Sequence, residues 1–392
     1  RAGRRGIDTI GHVIHCNNLF REQPSQLEYK SIMCGNPPTL LSKFKLDYSL
    51  ILNVLKSTPT TTLEDISKFI EKSMFYEELS NEKVQAQKEM EEIQNSLEKM
   101  DKPIDSLIPI CQEFRQLKDE VERAPQKKKK KIQARLTSIQ ESHPDIEQSL
   151  GKMKMTEKYE KEYLEKKEYL DQLISYVETQ VLRLCSLLEE RGFLKVIDNK
   201  RIDATDNGVI CSHIAEVHGP VWVECMIQKW NYFEHFSAKQ IVGLLSCTTE
   251  VKTMDEHNSS IPHVEDEYLK KCILEMKELY EYYDTEETRR DIRTGIRYED
   301  AFSFAIVEES MKWCDCLDEV QCKEFIEKEL IPKGISLGDF TKSILKIATI
   351  AKELRGLYEL EFCNTQTEWL HKLSQIEEMA LKYIATNQSL YV

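Results

Sequence analysis

Glycine and proline are scarce in these 392 residues, 13 and 11 of them, while charged residues reach 31% and Glu, Lys, Leu and Ile dominate. That is a helix-forming composition. No uninterrupted apolar stretch approaches the roughly 20 residues a membrane helix needs, so no membrane association is expected. Twelve cysteines are scattered along the chain with no secretory leader and no C-x-x-C pair. Reduced thiols inside the cell, nuclear or cytoplasmic, are the expectation. No G-x-x-x-x-G-K-[ST] phosphate loop occurs, which excludes ATP hydrolysis by this chain alone. Nor is positive charge in surplus. The net charge of −14 excludes a general basic coat for nucleic acid, so any strand-binding surface must be local.

What is present begins with Arg1-Ala2-Gly3-Arg4-Arg5-Gly6-Ile7-Asp8, followed by the apolar run Gly11-His12-Val13-Ile14-His15. Arginines held by glycines beside a strand suit contact with nucleotide phosphate, because the guanidinium fork is always charged and bidentate. One strand cannot bury both its faces. Residues 1–30 therefore read as the end of an α/β domain belonging to a larger protein.

Helical spacing follows through Leu40, Leu41, Phe44, Leu46, Leu50, Ile51 and Leu55, then through Ile66, Phe69, Ile70, Met74 and Phe75. Over residues 78–190 the chain becomes long charged helix. Ile93, Leu97 and Met100 mark one seam, and Leu170, Leu173, Val177, Val181 and Leu184 a second. Pro103, Pro109, Pro125 and Pro144 divide the stretch, predicting an out-and-back hairpin with Lys127 to Lys131 near its middle as a solvated turn or helix end. Arg191-Gly192-Phe193-Leu194 reads as a helix C-cap running into a strand, with a turn or helix start at Asn207-Gly208. From Val217 onward only amphipathic helices are expected, the strongest over 237–248, 264–284, 299–316, 339–356 and 366–389. They predict a bundle.

These blocks, in this order, resemble the C-terminal part of a DExH-box RNA helicase of the superkiller or exosome-associated type. Arg1 to Ile14 resembles motif VI of superfamily-two helicases, and Met33 to Asn53 the start of the family's winged helix. Glu71 to Phe75 resembles the approach to its stalk. Phe236 to Cys247 is similar to the start of its DSHCT bundle, and Ile384 to Val392 to its end. The fold implied is mainly α, in five parts. Residues 1–30 close a second RecA-like domain, and 31–78 and 179–216 form a winged helix. That unit is interrupted by a stalk over 79–178, and a helical bundle follows over 217–392.

The resemblance implies an ATP-dependent RNA helicase that translocates on and unwinds single-stranded or partly duplex RNA in processing or decay. ATP and Mg2+ would be bound mainly by upstream domains, and partners would be sought in the RNA-decay machinery. Arg1 and Arg4 would be the catalytic arginines at the γ-phosphate, with Gly3 and Arg5 also at the nucleotide. Lys342 and Lys346 would lie along the RNA path, and Glu224 beside it. The family's arch carries a β-barrel of the KOW type, whereas residues 79–178 hold no run of strands, so a shortened arch is expected. A non-enzymatic helical scaffold that binds RNA or proteins is the rival reading.

Other candidates have plainer readings. Cys211, His213, His218 and Cys225 lack zinc-ligand spacing and read as packing, so no metal site is expected. Cys314 and Cys316, two apart on a helix, face different directions. Tyr280, Tyr282 and Tyr283 read as core cover rather than base-stacking groups. Asp318-Glu319-Val320 spells part of an acidic helicase box by coincidence.

Overall fold

In a computed structural model, residues 44–57, 62–100, 105–123, 125–197, 201–251, 262–360 and 367–385 are described, together with Ser25, Glu28 and Lys30. Two compact units divide the chain after residue 43, and everything that follows belongs to the second. Arg1, Gly3, Arg4 and Arg5 lie outside the described residues, as do Met33 to Lys43 and the last seven positions.

The protein is mainly α. Asp47 starts the first helix by accepting the Leu50 amide at 2.8 Å, and α1 (Tyr48–Ser57) buries Ile51, Leu52, Val54 and Leu55. Thr62 and Asp65 form a reciprocal capping box at the start of α2 (Leu63–Ile70), which satisfies two amides that the first turn leaves free. Ser73 caps α3 (Met74–Lys99). After α4 (Ile108–Arg123) and α5 (Gln126–Ser142) comes α6 (Ile146–Glu190), a single helix of 45 residues, about 67 Å long. Its C-terminal third buries Leu173, Val177, Val181, Leu184, Leu187 and Leu188. This is the predicted stripe, and full burial of each Leu is worth about 2 kcal/mol.

Two details of the excursion differ from the sequence reading, Pro109 and the head, while the lysine run agrees with it. Pro109 does not break a helix, because it is the second residue of α4, where its missing N–H costs nothing. Lys127 to Lys131 form the N-terminal end of α5 from its second residue on, the helix end of the two expected alternatives. Beyond the α3/α6 pair the chain builds a small head with its own core: Cys111 and Phe114 meet Ile139, Ile146, Leu150 and Met153. Thr156 reaches the Met100 sulfur at 3.5 Å, which puts the end of α3 at the base of that head.

At the other end of α6, Gly192 turns left-handed with φ of 77°. Its amide donates to the Glu189 carbonyl, and that of Phe193 to Leu188. β1 (Leu194–Val196) pairs antiparallel with β2 (Ile202–Ala204), with Lys195 opposite Asp203. Thr205 then caps α7 (Asp206–Ser212). Gly208 sits so close to the Phe193 carbonyl that a Cβ would fall 2.1 Å from it. The segments on either side of the excursion close on each other. Ser49 Oγ donates to the Ile214 carbonyl at 3.2 Å, Lys56 Nζ meets His213 Nε2 at 2.6 Å, and Thr62 bridges Arg201.

The remainder packs as helices around one core shared with α1, α2 and α6. They are α8 (Gly219–Val223), α9 (Ala238–Ser246), α10 (Glu267–Arg290), α11 (Tyr298–Ala301), α12 (Val307–Asp315), α13 (Glu319–Phe325), α14 (Leu337–Gly356) and α15 (Thr367–Ala380). The expected helix over 299–316 is two helices. Phe302 is extended, and the Ser303 amide donates to the Cys247 carbonyl at 2.8 Å, so a tertiary contact overrides local propensity. The base of α6 is stapled to the end of α10. Gln180 donates to the Asp291 carbonyl at 2.8 Å and accepts the Arg293 amide at 2.9 Å, while Arg183 pairs with Asp291 at 2.7 Å.

Candidate nucleic-acid interface

Ser336 caps α14 by accepting the Asp339 amide at 3.1 Å. The helix turns Phe340, Ser343, Ile344, Leu345 and Ile347 into the core. Lys342 and Lys346, one turn apart, are thereby left on the opposite side. Lys342 stands exposed, 3.8 Å from Asp339. Lys346 is half-buried in the wall of a cleft of about 340 Å³. Leu345 lies in the core and takes no part in this face.

Lys45 and Arg297 also line the cleft, with Glu216, Glu250 and Asp300 among them. Charges of both signs face its interior, so lysines suited to phosphate stand beside carboxylates suited to hydroxyl groups. Lys45 donates to the Gly295 carbonyl at 2.5 Å. Gly295 has φ of 70°, and a Cβ there would lie 2.8 Å from the Lys45 side chain. Arg297 pairs with Asp300 at 3.1 Å. Glu353 closes the neighbouring turn by accepting the amides of Ala215 and Glu216 at 2.8 and 3.2 Å.

His218 forms part of the floor, where it caps α8. Its Nδ1 accepts the Val221 amide at 3.3 Å, so Nε2 carries the proton and donates to the Tyr298 hydroxyl at 2.9 Å. Tyr298 donates onward to Glu287 at 2.6 Å, and Tyr48 and Thr294 donate to the same carboxylate at 2.7 Å each. Burial drives the His218 pKa down to about 3 and raises that of Glu287. It also raises those of Tyr48, Tyr280 and Tyr298. The result is a neutral imidazole above a three-donor carboxylate.

Glu224 lies inside rather than on a surface, with 3% of its side chain exposed. Arg191 Nε donates to Oε1 at 3.0 Å and its terminal nitrogen to Oε2; the Tyr283 hydroxyl donates to Oε1 at 2.7 Å. The Arg191 guanidinium also stacks on Tyr282 with 4.7 Å to the ring centre. Tyr280 and Tyr283 are in the core.

Neither ring nitrogen of His218 is free for a metal, His213 is turned to Lys56, and Cys211 and Cys225 are buried with thiol pKa values raised by burial. Among the described residues no group of three or more His, Cys, Asp or Glu side chains is placed to hold an ion. Cys314 and Cys316 are both buried where α12 ends. Sequence reading missed Lys45, Arg297 and the His218–Tyr298–Glu287 chain, whose members come together only through folding; the Pro220 after His218-Gly219, at a helix start, is the one local signal.

The described residues form a mainly helical body with a lysine-bearing helix face and a mixed-charge cleft. No protein-family model matches the chain. A stretch of 114 residues is 31% identical to the chloroplastic DExH-box ATP-dependent RNA helicase DExH15 of Arabidopsis thaliana, covering 25% of this chain and 10% of that protein. The chain thus spans about a tenth of the curated relative it matches, and the similarity supports a helicase-related relationship. Among the described residues, no helix is long and apolar enough to cross a membrane.

Proposed function

We propose that this chain is the C-terminal part of an ATP-dependent RNA helicase that translocates on and unwinds RNA in processing or decay. What carries the reading is the closure of residues 44–70 onto 180–214 across an excursion of about a hundred residues, the discontinuous unit that the ordered blocks imply. In this reading that unit is a winged helix whose wing is β1 and β2. The α3/α6 pair with its head is a shortened arch, and residues 217–392 are the DSHCT bundle. The partial similarity to a DExH-box RNA helicase supports it.

ATP and Mg2+ would be held mainly by upstream domains and would supply the phosphoryl transfer that drives movement. From this chain Arg1, Gly3, Arg4 and Arg5 would face the nucleotide, with Arg1 and Arg4 as the catalytic pair. Lys342 and Lys346 would meet successive RNA phosphates, and Lys346 brings the strand to the cleft. Glu224 would act on the RNA path through Arg191, which it holds against Tyr282.

The test is RNA-stimulated ATPase and strand displacement by the protein with its upstream domains, in wild type, Arg4→Ala and Lys342→Ala/Lys346→Ala. Loss of turnover in Arg4→Ala and weaker RNA stimulation in the lysine pair are expected. Wild type without RNA-stimulated turnover would favour the non-enzymatic scaffold.

A further inference from the structure

One pair of thiols takes no part in the cleft or in the lysine face. Cys316 caps the end of α12 and Cys322 lies in α13, with five residues between them. The Cys322 thiol donates its hydrogen to the Cys316 sulfur, and Cys316 donates in turn to the Lys312 carbonyl across a long 3.7 Å. Cys314 points elsewhere and donates to the Ser310 carbonyl at 3.3 Å. The turn that joins the pair is open to water. Leu317 and Val320 are 86% and 67% exposed, and Cys316 keeps 8% of its surface in solvent against 1% for Cys322. Lys382 anchors the turn by donating to the Cys314 carbonyl at 3.1 Å and to that of Cys316. Burial raises both thiol pKa values, but the Lys382 ammonium and the donated hydrogen favour a thiolate at Cys316, whereas the neighbouring sulfur disfavours one at Cys322.

We propose that Cys316 and Cys322 form an oxidation site, a dithiol that hydrogen peroxide closes to a disulfide, with Cys316 as the attacking sulfur and Cys322 as the resolving one. In the first step the Cys316 thiolate attacks a peroxide oxygen: an S–O bond forms, the O–O bond breaks, and the leaving oxygen takes the thiol's proton and departs as water. Cys316 is then a sulfenic acid. In the second step the Cys322 sulfur attacks that of Cys316; the S–S bond forms, the S–O bond breaks, and the proton of Cys322 leaves with the hydroxyl as a second water. Two thiols lose two electrons in all, and one peroxide becomes two waters. The sulfurs already meet in the folded chain, so the bond closes without bringing distant segments together. Cys211 and Cys247, fully buried, lack the access that such chemistry needs. The bond ties the end of α12 to α13 beside Trp313, whose ring packs on Phe325 and on Phe340 of α14.

The experiment uses the full chain without nucleotide or RNA, so its outcome is independent of the helicase reading. The reduced protein is titrated with hydrogen peroxide, free thiols are blocked with iodoacetamide, and the chain is cut by an endopeptidase specific for glutamate. Cleavage after Glu319 puts Cys316 and Cys322 on different peptides, so a disulfide appears in the mass spectrum as a joined pair that dithiothreitol separates. The proteins are wild type, Cys314→Ser, Cys316→Ser and Cys322→Ser, each shown to be folded by circular dichroism. Wild type and Cys314→Ser should both form the link, at roughly tenfold less peroxide than is needed to oxidise Cys211 or Cys247. Cys316→Ser should form none. Cys322→Ser should stop at the sulfenic acid on Cys316, which dimedone captures. No link in the folded wild type, a link that forms only in urea, or one that persists in Cys316→Ser overturns the proposal. Dimedone capture on Cys322 in Cys316→Ser, with none on Cys316 in Cys322→Ser, overturns the assignment of attacking and resolving sulfur.

Discussion

Arg191 and Glu224, 33 positions apart, face each other through two parallel N–H to oxygen contacts while Tyr283 donates a third to the same carboxylate. Arg191 is the last residue of the α6 C-cap and Glu224 the first after α8. The pair therefore fixes the excursion to the bundle. Glu224→Ala leaves a largely buried guanidinium without its counter-charge, and a loss of about 2–4 kcal/mol is expected. Urea unfolding checks this; a change below about 0.5 kcal/mol would show that the pair does not hold the junction.

His218 makes the fold sensitive to acid. Its folded pKa of about 3 lies below the ordinary 6.5, so between those values the unfolded chain binds a proton that the folded chain does not. Stability should rise with pH across that window, by about 1.4 kcal/mol per unit. Glu287, raised by burial, contributes in the opposite sense, losing stability as pH climbs above the ordinary carboxylate range. The two separate in a difference measurement: wild type minus His218→Phe should keep the positive slope between about pH 3 and 6.5. Parallel curves for the two proteins would refute it.

Gly295 is required twice, by its left-handed backbone and by the Lys45 side chain against it. Gly295→Ala should cost about 1–2 kcal/mol and displace Lys45 from the cleft. A thermal melt reads the first effect. Restored stability in Gly295→Ala/Lys45→Ala would identify the side-chain contact as the main cost; no recovery would leave the backbone.

Lys342 and Lys346 share a helix face with no third basic residue between them. Lys342→Ala/Lys346→Ala should weaken single-stranded RNA binding in a salt-dependent way, reducing the log–log salt slope by about 1.4 for two phosphates. An unchanged slope would remove this face from the strand's path.

Much of the helical frame was readable from local pattern. The Leu170 to Leu184 stripe became the buried seam of α6, Gly192 became its left-handed cap, and Asn207-Gly208 opened α7, because periodicity and capping are properties of neighbouring residues. The head was missed although Cys111 and Phe114, then Ile146, Leu150 and Met153, carry helical spacing. Prolines drew attention to breaks instead, and Pro109 proved compatible with a helix start. The break at Phe302 was not readable, since it depends on a hydrogen bond to Cys247, 56 positions earlier. Lys342 and Lys346 were singled out by the family resemblance, and their spacing of one turn is what sets them on one face of α14. Nothing local indicates that His218 will meet Tyr298, or that Glu224 will be taken inside by Arg191.

The uninterrupted run of α6 has a mechanical consequence. Its C-terminal third is seated in the body and stapled at Gln180 and Arg183, while its N-terminal residues belong to the head core. Such a helix is a lever arm with no joint between fulcrum and load. A tilt of about 5° at the root carries the head by roughly 3 Å over its 30 Å reach, so a small rearrangement beside Asp291 is amplified into a displacement of the whole head.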